Sequence, residues 1–552
     1  MILTLSKLNK SIGSKVLLEG INFTLNKGEK VALIGRNGSG KTTLFKILAG
    51  LDKEFQGNLE YQSGLKITLT EQEHNLNEEI TALDYILKDI PEYLTLQAQI
   101  NDYELHGEDS EVSLEAYCEA VAIFSEKSYY ETETEVLIAL EEFQISEDRA
   151  KMPMSNLSGG EKRFVELVRI MFSECDLALI DEPTNHMDYV GKDKFIKWLQ
   201  KTKETLFIIS HDRDLLKYVD KVLELRDKQI EVYNGNYDDY IEKNSSSTSS
   251  QIKNYELGLR DIDKAKKQML DARDHKMKAK SDKSRTAALI REKRFQKELD
   301  RLIESSKKPS FWIDKENLEN LDKRTISSYN KYKDKNIRIT NQSISSHKKL
   351  LLKVEKLSLG YEDRLFNDIS FDIYSDDRIE IKGRNGAGKS TLIKSIIATI
   401  EEKEAIAKRF HGEIIIKNSV KLGVYDQEVN PALLELTLGE AIREIYYGLN
   451  MPFNDQMQSA ILKQYLFDPM LDYKIKVKDL SGGQKARLQL IKMMANKPNL
   501  LILDEPTNHL DLPSIEELEN TLNDFAGGII YISHDSYFRK KIGGKLVQIG
   551  SQ

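Results

Sequence analysis

The chain reads as an α/β protein built from two tandem copies of one phosphate-binding-loop domain, joined by a basic helical-hairpin linker, with a helical arm inserted in the first copy. Three observations predict this. VALIGRNGSGKTT at 31–43 returns as IEIKGRNGAGKST at 379–391, LSGGE at 157–161 returns as LSGGQ at 480–484, and DEPTNHMD at 181–188 returns as DEPTNHLD at 504–511. A repeat of this kind outranks every other signal in assigning a fold. Ser158, Asp181 and His211 recur as Ser481, Asp504 and His534, each 323 positions later, so the halves align without gaps from one SGG element to its ISHD element.

The first element in each copy is GRNGSGKT at 35–42 or GRNGAGKS at 383–390, preceded by a β-like run (KVALI, RIEIK) and followed by a helix-like run (TLFKIL, TLIKSI). That context turns a Gly-rich turn into a phosphate cradle, because successive N–H groups at a helix N-terminus form an anion site. The candidate nucleotide contacts are Gly35, Arg36, Asn37, Gly38, Ser39, Gly40, Lys41, Thr42 and Thr43, and Gly383, Arg384, Asn385, Gly386, Ala387, Gly388, Lys389, Ser390 and Thr391. Lys41 and Lys389 would reach the β/γ-phosphates, and Thr42 and Ser390 could ligate Mg²⁺. LALIDE at 177–182 and LLILDE at 500–505 are buried-strand runs ending in two carboxylates. A strand end can place Asp181 or Asp504 on the metal shell and Glu182 or Glu505 beside an attacking water as general base. His211 and His534 follow the apolar runs TLFIIS and GIIYIS, where a histidine could orient that water or sense the γ-phosphate; a structural histidine is the alternative.

The remaining segments differ in charge. Between the phosphate loop and SGG the first copy is 25 residues longer, and the extra part lies after Gln72, the counterpart of Gln427. It reads as a helical arm near 86–135 with thirteen Asp or Glu against Lys88 and Lys127. The linker is the opposite: residues 251–340 hold 25 Lys or Arg and 15 Asp or Glu, on a chain whose net charge is -8. Apolar residues at helical spacing predict two helices, the second over about 286–303, around the basic turn DHKMKAKSDKSR. The expected boundaries are 1–243 for the first domain, 244–349 for the linker, opening at NSSSTSS, and 350–552 for the second domain, in keeping with roughly 100–200 residues per unit. No run of 18 apolar residues occurs and Met1 opens on a strand-like ILTLSKLN, which predicts a cytoplasmic protein with no membrane segment. Cys118 and Cys175 have no metal-ligand spacing, so neither disulfides nor zinc are expected.

Together these elements resemble the Walker A, Q-loop, signature, Walker B, D-loop and H-switch of ATP-binding cassette ATPases, over roughly 1–240 and 350–552. The resemblance implies that Ser158, Gly159 and Gly160 cap ATP held by Lys389, that Ser481, Gly482 and Gly483 cap ATP held by Lys41, and that Gln72 and Gln427 complete the metal shells. It also implies a monomer with its two cassettes paired. Tyr361 stands where cassettes stack a ring on adenine, whereas the first copy offers Ile12, and Met187 stands where the second copy has Leu510.

Paired cassettes, an arm, a charged linker and EPTNH in both Walker B regions resemble the ABC-F proteins, whose members act on ribosomes. The family implies a linker entering the tRNA exit site toward the peptidyl-transferase centre, with large-subunit rRNA and tRNA as partners, in a translation factor or in a protein that displaces antibiotics; the long linker favours resistance. Lys276, Lys278, Lys280, Lys283 and Arg285 suit phosphate contacts with RNA. The acidic arm could meet a basic ribosomal protein or be solvated surface, and Phe311 and Trp312 could pack on a cassette or stack on bases. A transporter subunit would need a separate membrane protein, and a DNA-associated cassette ATPase would need a longer coiled coil.

Overall fold

The computed structural model describes the chain apart from residues 14, 71–78, 108–111, 186, 279–281, 307, 309–322, 333–347, 405, 427–428, 509 and 551–552, and apart from the side chains of 15, 276, 282–285, 323–325, 330 and 332. The chain forms two compact units, one of Met1–Val232 with Ile337–Gln552 and the other of Tyr233–Asn336.

In the first repeat the strands are β1 (Leu3–Ile12), β2 (Lys15–Leu25), β3 (Lys30–Gly35), β4 (Gln56–Tyr61), β5 (Ile67–Leu69), β6 (Leu177–Asp181), β7 (Thr205–Ile209), β8 (Lys221–Arg226) and β9 (Gln229–Asn234). They make a six-stranded sheet of order β5-β6-β7-β3-β8-β9 and a three-stranded sheet of order β2-β1-β4. The continuous apolar runs of β6 and β7 are buried along their whole length, as expected for parallel strands covered on both faces. Leu33 of β3 pairs with Ile209 of β7, and Asp181 of β6 with Ile209, so the strands end at one edge. The helices are α1 (Lys41–Leu48), α2 (Ala82–Leu87), α3 (Tyr93–His106), α4 (Leu114–Glu126), α5 (Tyr129–Glu142), α6 (Glu147–Ala150), α7 (Gly159–Phe172), α8 (Tyr189–Lys201) and α9 (Arg213–Leu216).

Thr81 caps α2, and Thr437 caps the corresponding helix of the second repeat through a capping box with Glu440. Between α2 and α5 the first repeat adds the hairpin α3–α4. Its walls are held by aromatic rings: Tyr103 stacks on Tyr117 at 4.5 Å, and Tyr93 meets Phe124 at 5.4 Å. From Asp89 to Glu126 the sequence has no Lys or Arg, and His106, whose Nδ1 lies 3.0 Å from Asp102 Oδ1, is its one basic ring.

The second unit contains α10 (Tyr237–Lys278), α11 (Asp282–Ser305) and α12 (Lys323–Tyr332). NSSSTSS, expected to open the linker, lies inside α10 instead. Its hydroxyls bond back along the helix, Ser249 Oγ donating to Ser245 O at 2.9 Å and Ser250 Oγ to Ser246 O at 3.2 Å, and Asn244 and Thr248 are buried. A hydroxyl satisfied by the preceding turn no longer competes with the helix. Phe311 and Trp312 lie outside the described residues.

The second repeat has β10 (Leu350–Gly360), β11 (Arg364–Tyr374), β12 (Arg378–Lys382), β13 (Lys408–Ile416), β14 (Leu422–Tyr425), β15 (Leu500–Asp504), β16 (Gly528–Ile532) and β17 (Lys545–Gln548), in sheets of order β14-β15-β16-β12-β17 and β11-β10-β13. Its helices are α13 (Lys389–Ile400), α14 (Leu438–Gly448), α15 (Asp455–Gln464), α16 (Gly482–Met494), α17 (Leu512–Asn523) and α18 (Ser536–Ile542). Among the described residues no helix is long and apolar enough to cross a membrane. Cys118 and Cys175 are free thiols.

Candidate nucleotide sites

Both phosphate loops leave the carboxyl end of a central parallel strand, β3 or β12, and run into α1 or α13. That end of an open α/β sheet is where ligands bind. Gly40 and Gly388 precede these helices at φ 110° and 92°, in the left-handed region. A Cβ there would also come within 2.8 Å of Leu17 Cγ or 2.9 Å of Phe366 Cδ1. Lys41 Nζ donates to Gly35 O at 2.7 Å and Arg36 O at 3.3 Å, and Lys389 Nζ donates to Gly383 O at 2.9 Å and Arg384 O at 3.0 Å. Each ammonium thus folds back over its own loop. Burial lowers the pKa of both amines.

At the ends of β6 and β15, Thr42 Oγ1 donates to Asp181 Oδ2 at 2.9 Å and the Ser390 hydroxyl is hydrogen-bonded to Asp504. The next residues, Glu182 and Glu505, adopt φ 49° and 46°. Such a conformation costs a non-glycine residue roughly 1–3 kcal/mol. Each is pinned there by its own N–H, donated to Ile209 O at 2.8 Å or Ile532 O at 3.0 Å. The turn directs each carboxylate toward a histidine: Glu182 Oε1 lies 3.5 Å from His211 Nε2, and Glu505 Oε1 lies 3.2 Å from His534 Nε2. Burial pushes Glu182 up to about 8 and Glu505 up to about 7, and pushes both histidines down to about 3. At neutral pH each pair therefore combines a neutral imidazole with a carboxyl near its titration point, which is what a general base requires. Neither ring nitrogen of His211, nor Glu505 Oε1, has a hydrogen-bond partner among the described residues. Unpaired polar atoms of this sort fit a nucleotide site, because burying them without a partner is otherwise costly.

The repeats also exchange residues. Asp511 caps α17, accepting from Ser514 N at 3.0 Å, and its Oδ2 accepts from Asn37 N in the other repeat's phosphate loop at 2.9 Å. Asp188 caps α8 and accepts from Asn385 N at 3.2 Å. The opening carboxylates of each octet thus serve their own loop and its last carboxylate serves the opposite one. One cavity of about 970 Å³ is lined by both loops, by Glu182, Glu505, His211 and His534, and by Ile12 and Tyr361 at its mouth, each more than half exposed. A buried ionic network closes the same interface. Arg213 meets Glu519 at 2.5 Å and Asp535 at 3.1 Å, Lys541 meets Glu519 at 2.8 Å, and Glu519 is inaccessible to solvent.

The signature serines cap α7 and α16 through capping boxes with Glu161 and Gln484, leaving the following glycine N–H groups free for an anion. Gly482 lies so close to Asn37 that a Cβ on it would stand 2.4 Å from Asn37 Nδ2, whereas around Gly159 there is open space. The signature of the second repeat is therefore seated on the first phosphate loop, while that of the first repeat stands clear at Gly159. Gln72 and Gln427 lie outside the described residues. Of the basic turn, the side chain of Lys278 is described and exposed, while Lys276, Lys280, Lys283 and Arg285 fall outside the described side chains.

Sequence reasoning missed Arg163. Its Nη2 donates to Glu182 O at 2.6 Å and to Asp181 O, bracing the turn that carries the Glu182 carboxylate. The signal was a break in the repeat, because the second copy has Ala486 at this place. It also missed Lys192, buried between Asp212 at 2.8 Å and Asp214 at 2.6 Å.

Comparison with known proteins agrees with this geometry. A family model described as ABC transporter matches residues 18–185 and 366–508, and an associated extension model of the same description matches 223–311. YdiF, a Bacillus subtilis ATP-binding protein, is 29% identical over 559 residues, covering 100% of this chain and 80% of that protein. ABC transporter F family member 5 of Arabidopsis thaliana is 28% identical, covering 99% of this chain and 74% of its own length. Among solved structures, the archaeal ribosome recycling factor aABCE1, in complex with the ribosomal stalk protein aP1, superposes with a TM-score of 0.58 at 15% identity, over 99% of this chain and 88% of that one. RNase-L inhibitor does so with a TM-score of 0.56 at 16% identity and the same coverage. These two establish likeness of fold. With two matched cassettes and the extension between them, the chain belongs to the ATP-binding cassette family, within its F group, and is an ATPase.

Proposed function

We propose that this ATPase binds the ribosome at the tRNA exit site, directs its α10–α11 hairpin toward the peptidyl-transferase centre, and protects the ribosome against antibiotics of the large subunit. The observation that carries the reading is the hairpin itself. It is a basic pair of helices that joins the two cassettes in sequence on an otherwise acidic chain. At about 1.5 Å per residue, α10 is roughly 63 Å long and α11 roughly 36 Å, enough to carry a basic turn far from its root. The recycling factor named above, which shares this fold and is bound to a ribosomal stalk protein, supports the reading.

In this reading Lys41 and Lys389 leave the carbonyls of their own loops to hold the β/γ-phosphates. Thr42 and Asp181, and Ser390 and Asp504, would hold Mg²⁺, joined by Gln72 and Gln427, and the ion would supply charge neutralisation for the phosphates. Glu182 and Glu505 take a proton from the attacking water, and His211 and His534 orient that water. Ser158, Gly159 and Gly160 cap the nucleotide on Lys389, and Ser481, Gly482 and Gly483 the one on Lys41. ATP closure gates ribosome binding and hydrolysis permits release. Lys276, Lys278, Lys280, Lys283 and Arg285 neutralise rRNA phosphates, and the protein works in the cytoplasm as a monomer.

The test has two arms. Ribosome pelleting at two salt concentrations should show salt-sensitive association that weakens, with a shallower salt dependence, when those five basic residues are neutralised. Cells with and without the gene should differ in susceptibility to at least one large-subunit antibiotic. Ribosome binding without any drug phenotype would point to a housekeeping translation factor. Co-purification with a membrane protein, and no ribosome binding, would return the chain to transport.

A further inference from the structure

The last carboxylate of the octet takes its side-chain donor from a different place in each repeat. In the second repeat Asp511 is hydrogen-bonded by the Ser514 hydroxyl, three residues along its own helix. In the first repeat the residue at that place is Gly191, which has no side chain. Asp188 instead accepts from Gln144 Nε2 at 2.6 Å, and the same oxygen, Oδ2, accepts from Asn385 N of the opposite phosphate loop. Asp188 is 2% exposed, so few other donors can reach it.

Gln144 ends the helix that the acidic arm is built on. It follows α5 and its cap Phe143 at φ 68°, and Ile145 N then closes the turn onto Leu140 O at 3.0 Å. Glu142 O accepts from Lys194 Nζ of α8 at 3.3 Å, so the end of α5 is fastened to the octet's helix at a second point. The second repeat builds the same turn after α15, with Leu466 at φ 62° and Phe467 N bonded to Leu462 O at 2.8 Å. The Leu466 side chain has no donor to offer. The repeat that bears the arm therefore runs a hydrogen-bonded path from this turn, through the side chains of Gln144 and Asp188, to the other repeat's phosphate loop, whereas at the equivalent turn of the second repeat it is the Leu466 carbonyl, held by Arg487 Nη1 at 2.7 Å, that is bonded.

We infer that Gln144 is a positioning residue through which the arm-bearing subdomain sets the closure of the Lys389 nucleotide site and not of the Lys41 site. Nucleotide first meets Lys389 and Ser390 of its own cassette, so losing Gln144 should leave the KM for ATP almost unchanged. The closure that Asp188 draws across should suffer, and with it kcat.

The test uses the full chain in two backgrounds: Glu182→Gln, which leaves only the Lys389 site competent, and Glu505→Gln, which leaves only the Lys41 site. Gln144→Leu should lower kcat about tenfold in the first background, the scale of a hydrogen bond to a buried charge, and leave kcat unchanged in the second. Gly191→Ser copies the second repeat's arrangement. A Cβ at 191 would lie 3.6 Å from Asp188 Oδ1 and 3.6 Å from Phe143 Cδ1, ordinary contact distances, so a Cβ is accommodated there. Combined with Gln144→Leu it should restore kcat, which a merely damaged turn would not allow. Gln144→Glu keeps the size of the side chain but sets a second carboxylate on Asp188, and should show the same one-sided loss. Equal losses at both sites, no loss at either, or no recovery with Gly191→Ser would overturn the assignment.

Discussion

If Glu182 and Glu505 act as the general bases proposed above, they should titrate about a unit apart, Glu182 the higher. Both carboxyls are largely but not wholly shielded from solvent, and desolvation is the largest cause of each raised pKa. Glu505 has relief that Glu182 largely lacks, because Oε2 accepts from His534 N at 3.2 Å. For Glu182 the main opposing influence is Lys41, whose own charge is weakened by burial, and Asp181 beside it raises the pKa further. With values of about 8 and about 7, roughly a tenth of Glu182 and roughly half of Glu505 would be ionised at pH 7. A base must be ionised to act, so rate is lost as pH falls through each value. The assay is kcat/KM for ATP from pH 5.5 to 9, since that ratio reports groups of the free enzyme. In Glu505→Gln, which isolates the Lys41 site, the acid limb should fall about one unit higher than in Glu182→Gln. Superimposed profiles, or the reverse order, would refute the claim that unequal relief of burial separates the two bases.

Glu182→Gln together with Glu505→Gln should bind ATP and not turn it over, because both lysines remain while both bases are lost; steady-state phosphate release and filter binding check the pair. Tyr361→Ala should weaken ATP binding several-fold more than Ile12→Ala, as a ring stacked on adenine contributes about 0.5–1.5 kcal/mol beyond its burial; equilibrium titration with a fluorescent ATP analogue reads the difference. Arg163→Met should reduce turnover in Glu505→Gln and leave Glu182→Gln almost untouched, because Ala486 holds the corresponding place; kcat in each background decides it. Glu519→Leu should cost about 1–3 kcal/mol, below the scale for an unpaired buried charge because Arg213 keeps Asp535 and Lys541 is partly exposed, read as a lowered urea midpoint.

What was legible in the sequence was whatever the repeat preserved. Lys41 and Lys389, Thr42 and Ser390, and the paired Asp and Glu of each octet occupy equivalent places because both copies solve one problem, with a strand end placing a carboxylate opposite a helix N-terminus. Residues that act in one copy alone were hidden. Arg163 binds backbone carbonyls, which leave no trace in a sequence, and Gln144 meets a carboxylate 44 residues away. NSSSTSS looked like a linker because serine favours turns, yet back-bonding and burial within α10 override that preference. The exchange of Asp188 and Asp511 between repeats depends on tertiary pairing, and no pattern within either copy encodes it.

The octet occurs twice because one copy cannot complete a site. Asp181 and Glu182 work beside Lys41, but the Asn37 N–H of that loop is held by Asp511 of the other repeat. Each loop takes one of its hydrogen-bond partners from the other repeat, so the pairing of the repeats completes both loops. The departures from symmetry all fall on this shared frame. Gly482 is already seated against Asn37 while Gly159 stands clear, Arg163 braces one base, and Gln144 holds one crossing carboxylate. Two sites built from equivalent parts thus differ in how they close, and a two-site ATPase with unequal closure can use one site to hold a conformation while the other turns over.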